Sequence, residues 1–249
     1  MISYAFFKKE LKELIKTHRF LVITVLFIFF AIVSPVTARY INEIIINFGD
    51  LDITLPSPVF TDAYTQFFSN NTINVIILII LTSGTVVSEK SKGSIMLILS
   101  KGLERRKLLL TKTLVYCTFF TFVYWLSVCI TYLYTYLLFE EAYTPALLIS
   151  FGTTWLYGLF LIVVAILMSV ISYSFSMAAG LTFGAYIVFN IIASVPYINK
   201  YSPAYLSNIS NELYLQGTSN DLLTTVFSSL LLITIFLIIS VKVFKNQEF

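Results

Sequence analysis

The residue types that ordinarily carry chemistry are sparse in this sequence and badly placed for it. The sole histidine, His18, stands beside Arg19 at the edge of an apolar run, the position of a solvated basic side chain rather than of a ligand or general base. Cys117 and Cys129 share one apolar run that offers no partners for a disulfide or a metal, so both read as small apolar fillers. No Gly-x4-Gly-Lys-[Ser/Thr] loop is present to cradle phosphates, so any ATP must be handled by a partner chain. Metal, Ser–His and acid-pair hydrolytic sites lack their parts, and neither a catalytic residue nor a metal ligand is expected.

One stretch is different in kind. From Glu89 to Gly102 an apolar run, Ile95–Met96–Leu97–Ile98–Leu99, is embedded among charged and small residues. Ser91 or Ser94 can cap a short helix and Gly102 can end it, giving roughly two turns whose apolar residues cannot all face lipid. A patch of this kind outside a membrane span marks a surface for another protein. The alternative is a segment that dips into the membrane interface beside Arg105, Arg106 and Lys107.

The elements that must position this stretch follow from composition. Hydrophobic residues make up 58% of the chain, charged residues 12%, and the mean hydropathy is +0.88. Soluble domains average about 45–50% apolar and about 25% charged, so a water-soluble globule is excluded. Charge-free runs cover Phe20–Ala38, Ala63–Ser88, Thr113–Phe139, Ala142–Asn199 and Leu222–Val241, and a crossing helix needs about 20 residues. The fourth run is long enough for two crossings, with a break near Ser172–Ser176. Six helical spans result, at about 20–38, 68–88, 113–139, 146–172, 177–195 and 222–241, with a cytoplasmic loop at 89–112. The runs are apolar on all sides rather than alternating, which excludes a barrel and makes the fold all-α, one membrane domain over residues 1–249.

Basic residues set the orientation. Of the 16 Lys and Arg, 14 lie before the first span, between the second and third, or after the sixth; only Arg39 and Lys200 fall on the other side. By the positive-inside rule both termini are cytoplasmic in a multi-pass cell-membrane protein. Phe7, Leu11, Leu14 and Ile15 recur at helical spacing among Lys8, Lys9, Lys12 and Lys16, which predicts an amphipathic helix at about 2–18 against the lipid surface. It serves either as a simple anchor or as a functional element. Ion-coupled carriers place charged groups at mid-membrane, and these spans as drawn hold none, which disfavours a carrier or channel independent of ATP. Gly180-x-x-x-Gly184 gives the fifth span a small-residue face for packing, within the chain or across a dimer. The first outer loop, with Leu55–Pro56–Ser57–Pro58, is the longest segment outside the spans and is expected to hold short local structure.

In their order and spacing these features resemble the type-2 permeases of ATP-binding cassette (ABC) transporters. The likeness is most specific from Asp62–Phe68 into Ser88–Ser94, then Leu99–Lys101, and Arg105 to the closing Lys112. Ser94 stands where the family usually has Thr, Gly102 where Pro is common, and Arg105 or Arg106 takes the Arg position. Pro203–Ala204–Tyr205–Leu206 is similar to the patch that precedes the family's sixth helix, and the amino-terminal helix to its elbow helix.

The resemblance implies the transmembrane subunit of a bacterial ABC exporter, not itself an enzyme, dimerised with a second permease subunit. ATP and Mg would be bound by separate cytoplasmic ATPase subunits, and nucleic acid has no part. Coupling would run through Glu89, Lys92, Gly93, Ser94, Ile95, Met96, Leu99, Arg105 and Arg106. The cargo of such a transporter would be a hydrophobic or amphipathic peptide, lipid or drug.

Overall fold

The computed structural model describes residues 4–49, 56–100, 102 and 104–247; Ile2, Ser3, Leu55 and Lys101, which figure in the sequence reading, lie outside them. Among the described residues ten α-helices follow in order: α1 Tyr4–Lys16, α2 Arg19–Gly49, α3 Phe60–Ser83, α4 Val87–Ser91, α5 Ser94–Ser100, α6 Arg105–Phe139, α7 Leu147–Ile171, α8 Phe175–Ser194, α9 Tyr205–Gln216 and α10 Leu222–Asn246. No strand occurs among the described residues. Six helices are long and apolar enough to cross a bilayer.

The bundle is built around α7, which buries side chains along nearly its whole length and packs on α3, α6, α8, α9 and α10. On one side α2 lies between α3 and α6. Pro35 sits inside α2 and has no N–H to give to the Ala31 carbonyl one turn earlier. Thr131 on α6 donates its hydroxyl to that carbonyl at 3.2 Å, so the neighbouring helix supplies the bond that the proline removes. Asn70 on α3 similarly reaches Ser34 Oγ on α2 at 3.0 Å.

On the other side α8 and α10 show an inverted pattern. The buried positions of α10 are Thr225, Ser229, Ser240 and Phe244, whereas Leu223, Phe227 and Ile238 stand exposed. Small polar residues face the bundle and large apolar ones face outward, as suits a helix whose solvent is lipid. The break between α7 and α8 is made by Ser174, whose hydroxyl accepts from the Met177 N–H as the N-cap of α8.

Several helices outrun the spans expected for them. α2 continues to Gly49 and α6 begins at Arg105; leaving the hydrocarbon does not oblige a helix to stop, and the Arg105–Leu110 start of α6 is made of good helix formers. The first loop, expected to hold short local structure, falls at 50–55 outside the described residues; a further helix forms in the loop between the fifth and sixth spans. There α9 buries Leu206, Ile209, Leu213 and Tyr214 against α7 and its neighbours, and ends at Gly217 with φ +78°. Its Leu206-Ile209-Leu213 spacing is legible in the sequence as a helical stripe.

Candidate functional site

The stretch singled out in the sequence sits where α3 gives way to α4. α3 stops at Ser83, and a helix that restarts leaves its first amides without partners. Val86 and Val87 donate theirs to one acceptor, Ser169 Oγ on α7, at 3.1 and 3.0 Å. Gly93, at φ +68°, then turns the chain from α4 into α5, a conformation that costs a side-chain-bearing residue energy. Ser94 Oγ donates to the Glu89 carbonyl at 3.2 Å and ties the start of α5 to α4.

α5 is thus a short helix held under the bundle. Ile95 points inward and is only 1% exposed, with Ile98 and Leu99 packed against the same core as Phe6, Leu14 and Leu108. Met96 is 53% exposed, and Lys92 and Gly93 are also on the surface. Of the residues expected to meet an ATPase, therefore, Ile95 fastens the helix and Met96 is the apolar side chain it presents. Arg105 donates to the Lys245 carbonyl at 2.9 Å and to that of Gln247, so it closes α6 on the end of α10, while Arg106 stays exposed.

The end of α7 is tied in as well. Lys90 Nζ donates to the carbonyls of Val170 at 3.0 Å and Ser172 at 3.2 Å, and to Gln247 Oε1 at 3.2 Å. A cation is favoured at the carboxyl end of a helix, where carbonyls lack intrahelical partners.

Behind α4 and α5 lies a buried ion cluster. Lys112 on α6, 2% exposed, donates from Nζ to Glu10 Oε2 at 2.7 Å and to Glu89 Oε1 at 2.8 Å. Lys9 joins from α1, with Glu10 and Glu13 each at 3.1 Å and Glu89 at 3.9 Å. Burial opposes the charge on Lys9, but Glu10, Glu13 and Glu89 outweigh it and hold the amine above the ordinary lysine range. The carboxylates of Glu10, Glu13 and Glu89 lie within 4.8 Å of one another. Lys9 and Lys112 already supply the positive charge that a metal ion would bring. Glu89 and Lys112 line a cavity of about 120 Å³, and Glu89 Oε2, buried, has no hydrogen-bond partner.

This cluster joins three elements that the sequence separates: the amino-terminal helix, the short helix α4 and the third span. It also decides which face of α1 is inward. Phe6, Glu10 and Leu14, one turn apart, are the buried stripe; Phe7 and Leu11 pack at its flank, Ile15 is 58% exposed, and Lys8, Lys12 and Lys16 point to solvent. His18, exposed and at φ +55°, makes the corner into α2. Sequence reasoning missed Glu10 because an acid between apolar positions reads as surface, and it marks Lys112 only as the closing lysine of a motif.

Gly180 and Gly184 are exposed, and a Cβ built on either meets nothing within 4 Å, so this stripe does not pack inside the chain. The close helix approach is at Gly158 instead, where a Cβ would lie 2.2 Å from the Phe120 ring. Beside α9 a polar cavity of about 270 Å³ is lined by Asn71, Thr72, Tyr157, Asn190 and Asn211 among others, none of them charged.

The description of the ABC-2 family transporter protein matches residues 4–249. The chain belongs to the ABC-2 transporter family. It is the membrane-spanning, permease-type component of an ABC transporter, and its six apolar helices make it a multi-pass membrane protein. Among curated proteins it is similar to an uncharacterized transmembrane protein, YxlG, of Bacillus subtilis (strain 168). The two are 25% identical over 191 residues, covering 74% of this chain and 73% of the relative.

Proposed function

We propose that α5 is the coupling helix of this ABC-2 permease, and that a separate cytoplasmic ATPase drives transport by pressing on it. The observation that carries this reading is the way α5 is held. Met96 is offered outward, while Ile95, Ile98 and Leu99 root the helix in a core shared with α1 and α6. A push on α5 reaches α4 through the Ser94–Glu89 bond, α6 and α1 through Lys112, and α7 through Ser169 and Lys90. Interiors are close-packed and transmit displacement, so a partner that favours one position of α5 biases the whole bundle.

On this reading both termini face the cytoplasm of a bacterial cell, ATP and Mg are bound by the ATPase, and two permease subunits pair. Gly180 and Gly184 on the outward face of α8 support pairing there, since among the described residues nothing lies within 4 Å of a Cβ built on either. The substrate is exported and amphipathic: the polar cavity offers amide and hydroxyl groups without charge, beside helices that face lipid with large apolar side chains.

The buried charges favour one competing reading, an ion-coupled carrier that uses Glu89 and Glu10 without ATP. The two part in reconstituted vesicles. A permease moves substrate only when a Walker-motif ATPase that co-purifies with it is present and supplied with ATP; movement driven by an ion gradient alone would support the carrier.

A further inference from the structure

Between the first turns of α6 and the last turns of α10 runs a groove of about 840 Å³, of whose lining the coupling expectation names only Arg105 and Arg106. Its apolar lining is Leu110 on α6 and Leu237, Ile238 and Val241 on α10; at its mouth stand Arg106, Lys242 and Lys245, with Arg105 and the carboxylate of Glu104 also lining it. Both helices change character together within about one turn. Arg106 and Leu110 are four apart on α6, as are Ile238 and Lys242 on α10, so in each helix a cation stacks over an apolar residue on one face. Arg105 closes the end of the groove on the Lys245 and Gln247 carbonyls, and the acid beside it, Glu104, accepts from Lys107 at 2.7 Å.

We propose that this groove is a binding site for an anionic phospholipid. The phosphate lies among Arg106, Lys242 and Lys245, and an acyl chain runs along Leu110, Leu237, Ile238 and Val241. Charge selects an anion at the mouth, and basic pockets between membrane helices suit acidic headgroups. The apolar wall decides against a soluble partner, because it belongs to membrane-crossing helices and only a ligand with a hydrocarbon tail can follow it inward. Long basic side chains reach outward while their stems cover the tail. Net positive charge at this end of the bundle would attract acidic lipid in any case, so what marks a built site is that these three cations matter more than three others equally exposed.

The test is native mass spectrometry of the full-length protein in detergent, titrated with phosphatidylglycerol or phosphatidylcholine. Phosphatidylglycerol adducts are expected to dominate, and Arg106→Gln/Lys242→Gln/Lys245→Gln to weaken them by roughly tenfold or more. The control Lys8→Gln/Lys12→Gln/Lys16→Gln removes the same charge from the exposed face of α1 and is expected to change them by less than about twofold. Should the first triple variant fail to elute as a single species, Lys242→Gln/Lys245→Gln reads the same loss at the end of one helix.

Equal losses in both sets, or equal binding of the two lipids, would overturn the site. Competition by glycerol phosphate at the lipid's concentration would make it a soluble-anion site instead. Phosphatidylglycerol binding left intact in the first triple variant would overturn it as well. No ATPase takes part in the titration, so its outcome is independent of the coupling reading.

Discussion

Lys112 and Glu10 meet at 2.7 Å although they stand 102 positions apart, and Glu89 accepts from the same ammonium group at 2.8 Å. One amine thereby holds together the amino-terminal helix, the segment that leads to α5 and the third span. Buried charges are costly to strand, and this geometry fixes what happens when one is removed.

Replacing Lys112 by Met leaves the buried Glu10 and Glu89 carboxylates with only the half-exposed Lys9, at 3.1 and 3.9 Å, to balance them. The variant is expected to lose about 3–5 kcal/mol of stability. Adding Glu10→Gln and Glu89→Gln removes the stranded charge and is expected to restore more than half of the loss. Thermal unfolding in detergent measures both; a triple variant no more stable than the single one would mean that the cluster is not what holds these elements together.

Two neighbours on α5 are expected to behave differently. Met96→Glu puts a charge on an exposed position, so folded yield stays near wild type while ATPase co-purification and ATP-dependent transport fall. Ile95→Glu places an unpaired carboxylate in the core and lowers the folded yield itself. Size-exclusion profiles beside pull-down yields separate the two effects, and a Met96→Glu protein that still binds and transports would remove the coupling role of α5.

Ser169 satisfies two backbone donors at once. Ser169→Ala orphans both and is expected to cost about 1–3 kcal/mol, with faster hydrogen exchange at the Val86 and Val87 amides than at the amides of α3. Unaltered exchange at those amides would show that another group caps α4.

Thr131 and Pro35 form a matched pair around the Ala31 carbonyl. Thr131→Val should cost about 1 kcal/mol or a little more, and much less in a Pro35→Ala background, where residue 35 regains an N–H for the same acceptor. Additive losses in this double-mutant cycle would argue that the hydroxyl and the proline are unconnected.

The glycines separate packing within the chain from packing between chains. Gly158→Ala must push the Phe120 ring aside and is expected to be destabilising, whereas Gly180→Leu/Gly184→Leu leaves the fold intact and shifts the mass measured by light scattering away from the dimer. A double variant still dimeric at wild-type concentration would place the pairing face elsewhere.

Much of this was legible from residue order. A membrane helix must satisfy its own backbone and present apolar side chains to lipid over a fixed thickness, so uninterrupted apolar length alone specified an all-α, six-span protein. The short helix at Ser94–Ser100 was equally visible, because an apolar run bounded by charges and a terminating glycine has few other solutions. What order could not supply was which faces meet. Phe6, Glu10 and Leu14 share a stripe with no signal to tell it from the neighbouring Phe7 and Leu11, and α6 chose between them by bringing Lys112 within reach of a carboxylate. Gly180 and Gly184 had the spacing for close packing and Gly158 did not, yet Gly158 faces a ring and the others face outward. Spacing within a helix determines which residues share a side. Whether that side is turned to lipid, to a partner or to a buried charge depends on rotations of whole helices, which the tertiary contacts fix and local sequence does not encode.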